Sequence, residues 1–146
     1  MTTRYRVTVT RRIHPAAEEI LRAAGCEVEV NPHDRPLTPE ELQAAASSSD
    51  GVLCLLNDRI NAPLLEAAPR CRVFANYAVG YDNMDLAAAT RAGVALCNTP
   101  DVLTDATAEF AWALLFAAAR RVVEADRFVR EGHFVGWDPM LLWGHD

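Results

Sequence analysis

The strongest constraint on the fold is a two-part rhythm repeated along the first hundred residues. A short apolar or alternating run is followed by a helical stretch that a proline or polar cap opens. Tyr5-Arg6-Val7-Thr8-Val9 alternates as a strand, and His14-Pro15 opens a helix through Leu21 that Gly25 ends. Cys26-Glu27-Val28-Glu29-Val30 alternates again, and Thr38-Pro39-Glu40-Glu41 is a capping box with proline at the first helical position. Gly51-Val52-Leu53-Cys54-Leu55-Leu56 is apolar throughout, as a strand covered on both faces should be, and Asn61-Ala62-Pro63 starts a short helix through Ala67. Val73-Phe74-Ala75 repeats the buried-strand pattern. A helix from about Asp82 to Ala92 follows, closed by Gly93, and Val94-Ala95-Leu96-Cys97 is the fifth strand. Strands alternating with helices imply right-handed crossovers. The expected architecture is therefore α/β, a flavodoxin-like, doubly wound, parallel five-stranded sheet in the order 2-1-3-4-5.

After residue 98 the rhythm stops. From Leu103 or Thr104 to about Glu131 the pattern reads as one long helix, capped near Asp101 or Thr104 and ending before Gly132. Its first half, with Phe110, Trp112, Leu114, Leu115 and Phe116, is apolar all round and expects covering on more than one side. The stretch from His133 to Gly144, with Trp137 and Trp143, is an aromatic arm that reads as an interface.

Composition excludes several classes of function. A formal net charge of -6, with the arginines scattered, offers no basic stripe for a nucleic acid. The longest apolar run, Phe110 to Ala119, is about half of the roughly 20 residues needed to cross a bilayer. The N-terminus goes straight into strand pattern without a secretory block, which points to the cytoplasm. Cys26, Cys54, Cys71 and Cys97 lack C-x-x-C pairing and lie in or beside apolar runs, so buried thiols are expected rather than metal ligands or disulfides. All 14 basic residues are arginine, which excludes Schiff-base chemistry and a P-loop lysine within these residues.

Open parallel sheets bind ligands beyond the carboxyl ends of their strands. Those ends are Thr10-Arg11-Arg12, Asn31, Asn57-Asp58, Ala78-Val79-Gly80 and Asn98-Thr99-Pro100. The first has one hydroxyl and no glycine, unsuited to a flavin phosphate. Asp58 lacks the acidic pair and the lysine of a phosphoacceptor site. The 7 glycines never form G-x-G-x-x-G. What remains is Ala78-Val79-Gly80, a stretch of bare backbone whose N–H groups could hold a small carboxylate. The plainer alternative is that Gly80 lets the strand turn and that Asp82 or Asn83 caps the next helix.

The order of motifs resembles the N-terminal half of the D-isomer-specific 2-hydroxyacid dehydrogenases, most closely the glyoxylate/hydroxypyruvate reductases. "VTRRIHPAAEEIL", "GVLCLLND", "YAVGYDNMDLAAATRAGV", "NTPDVLTDATAEFAWALL" and "GWDPMLLWG" stand in that family's order, across essentially the whole chain. The resemblance implies that the backbone amides of Val79 and Gly80 grip the carboxylate of a small 2-oxo or 2-hydroxy acid. It implies further that Leu56 lines the same pocket and that Thr104 sits near the nicotinamide of NAD or NADP. An N-cap role for Thr104 is compatible with this.

The family's catalytic histidine, its partner glutamate and the substrate-binding arginine fall farther along than these residues. The resemblance therefore assigns no catalytic role to His14, His33, His133 or His145, and none to Arg11, Arg12 or Asp58. It implies residues 1–99 as a substrate-binding domain and 100–146 as an interdomain helix and dimerisation arm leading into a nucleotide-binding domain, with a homodimer through residues 103–143. The expected function is the N-terminal part of an NAD(P)H-dependent reductase, inactive alone and needing no metal. The alternative is a stand-alone binding or assembly module that keeps the fold and the anion nest without chemistry.

Overall fold

The computed structural model describes residues 4–145. They form two compact units, Met1–Asp101 and Val102–Asp146.

In the first unit, β1 (Arg6–Val9), β2 (Glu27–Val30), β3 (Gly51–Cys54), β4 (Val73–Asn76) and β5 (Ala95–Cys97) make one parallel sheet in the order β2-β1-β3-β4-β5. This is the order expected from the repeating β-α rhythm. Register aligns Val9 with both Val30 and Leu53, Cys54 with Asn76, and Ala75 with Cys97, so the strands end nearly level.

Each connecting helix starts at a residue chosen for the task. His14 accepts from the amide of Ala16 ahead of α1 (Pro15–Ala23). Thr38 and Glu41 close a reciprocal capping box on α2 (Pro39–Ser48), and Arg35 forks onto the Glu41 carboxylate with two bonds of 2.7 Å. Those Arg35 bonds, with the Thr38 amide, hold the Glu41 carboxyl down at about 2. Asn61 caps α3 (Ala62–Ala67). The fourth cap is not Asp82 or Asn83 but Asp85, which accepts from the Ala88 amide at 2.8 Å, so α4 (Leu86–Ala92) begins later than the sequence suggests. A turn closed by the Met84 amide on the Tyr81 carbonyl occupies the residues before it. Gly93 ends α4 at φ 67°, a left-handed conformation that favours glycine.

The core lies on the face of the sheet carrying α2, α3 and α4. Val52, Cys54 and Phe74 meet Leu42, Ala46, Leu64, Leu65, Ala88 and Ala89 there. Gly51 is needed for packing, because a Cβ on it would lie 2.9 Å from the Val73 side chain. Of the cysteines, Cys54 and Cys71 are buried as expected, but Cys26 is half-buried and Cys97 exposed. Cys97 lies on the edge strand β5, where no further strand covers it.

The second unit departs from the single long helix. It holds α5 (Thr104–Ala119) and α6 (Val122–Arg130), separated by Arg121 at φ 53°. The break has its cause in packing against a segment farther along the chain. His145 donates its amide to the Ala119 carbonyl at 2.8 Å, and Gly144 approaches so closely that a Cβ would meet the same carbonyl oxygen at 2.3 Å. The carbonyl that a continuing helix would use internally is taken by the returning chain. The helix cap falls on Leu103 without a side-chain bond, so Thr104 is the first helical residue and not the cap. Phe110, Trp112, Leu114, Leu115 and Phe116 are all exposed, and Trp112 stacks on Phe116 with centroids 5.7 Å apart.

Candidate functional site at the carboxyl ends of the strands

The level strand ends bring four connections to one side of the sheet. Leu56 lies two residues past β3 and Val79 three residues past β4, on adjacent strands, and they are 60% and 42% exposed. The segment 78–80 is fastened through its carbonyls. Thr99 donates its amide to Ala78 at 2.9 Å, Asn98 Nδ2 donates to the Val79 carbonyl at 2.8 Å, and Asn76 Nδ2 donates to the Gly80 carbonyl at 2.8 Å. The amides of Val79 and Gly80, by contrast, donate to no acceptor among the described residues. A backbone held by its acceptors and left with two unused donors is suited to an anion. Gly80 does not adopt a left-handed conformation. A Cβ there would meet only Asp82 Oδ2 at 3.9 Å, so the missing side chain leaves space above the backbone.

A buried polar network locks this loop to its neighbours. Asn83 Nδ2 donates to the carbonyls of Asp58 at 2.8 Å and Leu55 at 3.3 Å, and Asn83 Oδ1 accepts from Asn76 Nδ2 at 3.1 Å. Asp58, only 4% exposed, accepts from Thr10 Oγ1 and, at 2.8 Å, from the Leu55 amide. Three strand ends are thus joined by side chains from β4, its loop and the β3 turn. Asp58 belongs to this strand-end structure and is not solvated surface. The residues that the sequence reading missed are Asn76, Asn83 and Asn98. Asparagine recurs at the ends of β4 and β5, and an amide side chain can hold a carbonyl without adding charge.

Among the described residues, no cluster of histidine, cysteine or carboxylate side chains could hold a metal ion. No helix among them is long and apolar enough to cross a membrane. For a nucleotide cofactor the chain offers little: its 7 glycines do not form a phosphate-binding turn, and Thr104 is a single exposed hydroxyl at the start of α5. These residues do not by themselves make a dinucleotide cradle.

The architecture is an open, doubly wound parallel α/β sheet, the class of fold whose ligand sites, where they exist, lie beyond the carboxyl ends of the strands. Residues 7–130 match the family described as D-isomer specific 2-hydroxyacid dehydrogenase, catalytic domain, and the chain belongs to that family. The glyoxylate reductase of Aeropyrum pernix is 50% identical over 145 residues, which cover 97% of this chain and 43% of that protein. A solved D-isomer specific 2-hydroxyacid dehydrogenase, NAD-binding, from Polaromonas sp. JS6 66 superposes with a TM-score of 0.90 at 38% identity, covering 98% of this chain and 45% of that one. The NADPH-dependent glyoxylate/hydroxypyruvate reductase of Sinorhizobium meliloti, solved in complex with NADP and malonate, gives a TM-score of 0.68 at 29% identity, covering 91% and 40%. The chain spans less than half the length of these relatives.

Proposed function

We propose that this chain is the substrate-binding part of an NAD(P)H-dependent reductase of small 2-oxo acids such as glyoxylate and hydroxypyruvate. The amides of Val79 and Gly80 hold the carboxylate, and Leu56 packs beside the carbon chain. The observation that carries this reading is the contrast within one loop: three successive carbonyls are bonded internally while the two amides find no acceptor among the described residues. The glyoxylate reductase from Aeropyrum pernix and the NADP and malonate in the Sinorhizobium complex support the substrate class and the cofactor. Residues 1–99 form the substrate domain and 100–146 the connection to the cofactor domain, with Thr104 beside the nicotinamide.

In this reading no residue of the chain moves a proton or a hydride. The chain binds and orients the acid; NADH or NADPH supplies the hydride in the complete cytoplasmic enzyme. Two neutral amide contacts are worth about 1 kcal/mol each, which barely offsets the cost of association. Binding by the chain alone is therefore weak, and turnover is absent. The exposed apolar face of α5, with the arm through residue 143, pairs two copies of the chain.

The test is an amide-shift titration with oxalate or glyoxylate. Movement of Val79 and Gly80 at millimolar ligand supports the reading, and unmoved resonances overturn it. NAD(P)H oxidation above a blank, surviving repurification, would overturn the assignment of catalysis to residues outside this chain.

A further inference from the structure

Gly80 sits between two peptide planes, each held by a side chain. Asn98 Nδ2 donates to the Val79 carbonyl at 2.8 Å, on the plane that carries the Gly80 amide, and Asn76 Nδ2 donates to the Gly80 carbonyl at 2.8 Å, on the next plane. Glycine loses more conformational freedom on ordering than any other residue, so the two bonds together fix a backbone that would otherwise wander. The Asn98 bond is exposed, whereas Asn76 is fully buried and can serve only with its nitrogen facing the loop. Turned over, its amide would set Oδ1 against the Gly80 carbonyl.

Asn83 decides that orientation. Its Nδ2 donates to the Asp58 carbonyl at 2.8 Å and to the Leu55 carbonyl at 3.3 Å, two groups that only accept. The Asn83 amide therefore has one workable orientation, which presents Oδ1 to Asn76. That oxygen accepts from Asn76 Nδ2 at 3.1 Å, while Asn83 Nδ2 lies 3.5 Å from Asn76 Oδ1. The Cys54 thiol, 3.8 Å from the same Asn76 oxygen, supplies a further donor on that side. Asn83 is itself fixed by main chain. Its carbonyl accepts from the Ile60 amide at 2.9 Å, and the Ile60 carbonyl accepts from the Asp85 amide at 2.8 Å. The connection after β3 thus dictates, through two side-chain amides, how the loop after β4 is held.

We infer that Asn83 is a positioning residue for the carboxylate site: it sets which way the Asn76 amide faces, and through that bond it holds Gly80 in its binding conformation. The inference rests on the carboxylate reading proposed above. An aspartate of the same shape would set an oxygen against the two carbonyls, and an alanine would leave Asn76 free to turn over. A Gly80 released on one side must be ordered when the ligand arrives, which weakens binding by about two- to fivefold.

The test is an oxalate titration of the 146-residue chain, read at the Val79 and Gly80 amides, in the unaltered chain, Asn76→Ala, Asn83→Ala and the double variant, each below its unfolding transition. Asn83→Ala should weaken oxalate by about two- to fivefold. In the Asn76→Ala background the same change should have no further effect, because Asn83 acts through Asn76. A residue that only adds stability would leave the affinity of the folded variant unchanged. That result, or independent losses that add, overturns the role of Asn83 and leaves the carboxylate site standing. Should the variants not fold, the unaltered chain still decides: the side-chain NH2 protons of Asn76 and Asn83 should be protected from solvent exchange before any oxalate is added, and rapid exchange there overturns the relay. Unmoved Val79 and Gly80 resonances in the unaltered chain overturn the carboxylate site and this role with it.

Discussion

Asn76 Nδ2 donates to the carbonyl of Gly80 at 2.8 Å, so the last residue of β4 holds the far end of the loop that follows it. The same amide nitrogen reaches Asn83 Oδ1 at 3.1 Å, and Asn76 is fully buried. Asn76→Ala leaves the Gly80 carbonyl and Asn83 Oδ1 short of a donor. It should therefore cost about 1 to 3 kcal/mol in a urea unfolding experiment. Wild-type stability in the variant would show that the network contributes nothing net.

Gly80→Ala separates binding from folding. The added Cβ meets nothing closer than 3.9 Å, so the melting temperature should hardly move, whereas a ligand approaching the amides meets a new methyl group. Oxalate binding at Val79 should weaken severalfold. Asn98→Ala, which frees the Val79 carbonyl at an exposed bond, should weaken it by a smaller factor. Unchanged affinity in both variants would remove the loop from the site.

The four thiols should divide by accessibility. Burial pushes Cys54 up to about 12, with the nearby Asp58 charge adding to it, and pushes Cys71 up to about 11. At pH 8 a thiol reagent should label the exposed Cys97 and, more slowly, the half-buried Cys26, and reach Cys54 and Cys71 only in denaturant. Because the folded-state values are raised, the stability these thiols contribute is complete below about 9 and is lost as pH rises toward 11 to 12. Fast labelling of Cys54 in the native chain would contradict the packing of β3.

Acid unfolding should involve Asp50. Side-chain bonds from Arg70 at 2.9 and 3.0 Å, then the Arg6 amide at 2.7 Å, hold its carboxyl down at about 2 from an ordinary 3.8. A lowered folded-state value means stability that is present above about pH 4 and lost as pH falls toward 2. Asp50→Asn should lower stability at pH 6 and flatten its decline between pH 4 and pH 2. A variant curve parallel to wild type would place the acid sensitivity on other carboxylates.

Self-association should follow from α5. Burying three or four of Phe110, Trp112, Leu114, Leu115 and Phe116 against a second copy is worth on the order of 5 to 10 kcal/mol before association costs. Light scattering at tens of micromolar should report a dimer that Phe110→Asp or Leu114→Asp dissociates. A particle of 16.0 kDa would refute the pairing.

The sheet was legible in the chain's own pattern. Apolar runs such as 51–54 and 73–75, each preceded by a capped helix, have few other ways to bury their faces, and the crossover rule leaves only a few doubly wound orders, of which β2-β1-β3-β4-β5 is one. That pattern also singled out the segment 78–80 as bare backbone at a parallel strand end, with a plain turn as the alternative and the carboxylate role implied by the family resemblance. Tertiary structure alone decided what holds that segment. Asn76 reaches Gly80 across only 4 residues, but Asn98 acts on Val79 across 19 and Asn83 on Leu55 across 28, and no local pattern encodes partners at those separations. The long helix failed for the same reason. Helical propensity runs unbroken through Arg120 and Arg121, and the chain breaks there because residues 144 and 145 return to take the Ala119 carbonyl. Local preferences choose elements, but which carbonyl is bonded, and which amide is left unbonded, depends on residues distant in sequence arriving at the same place.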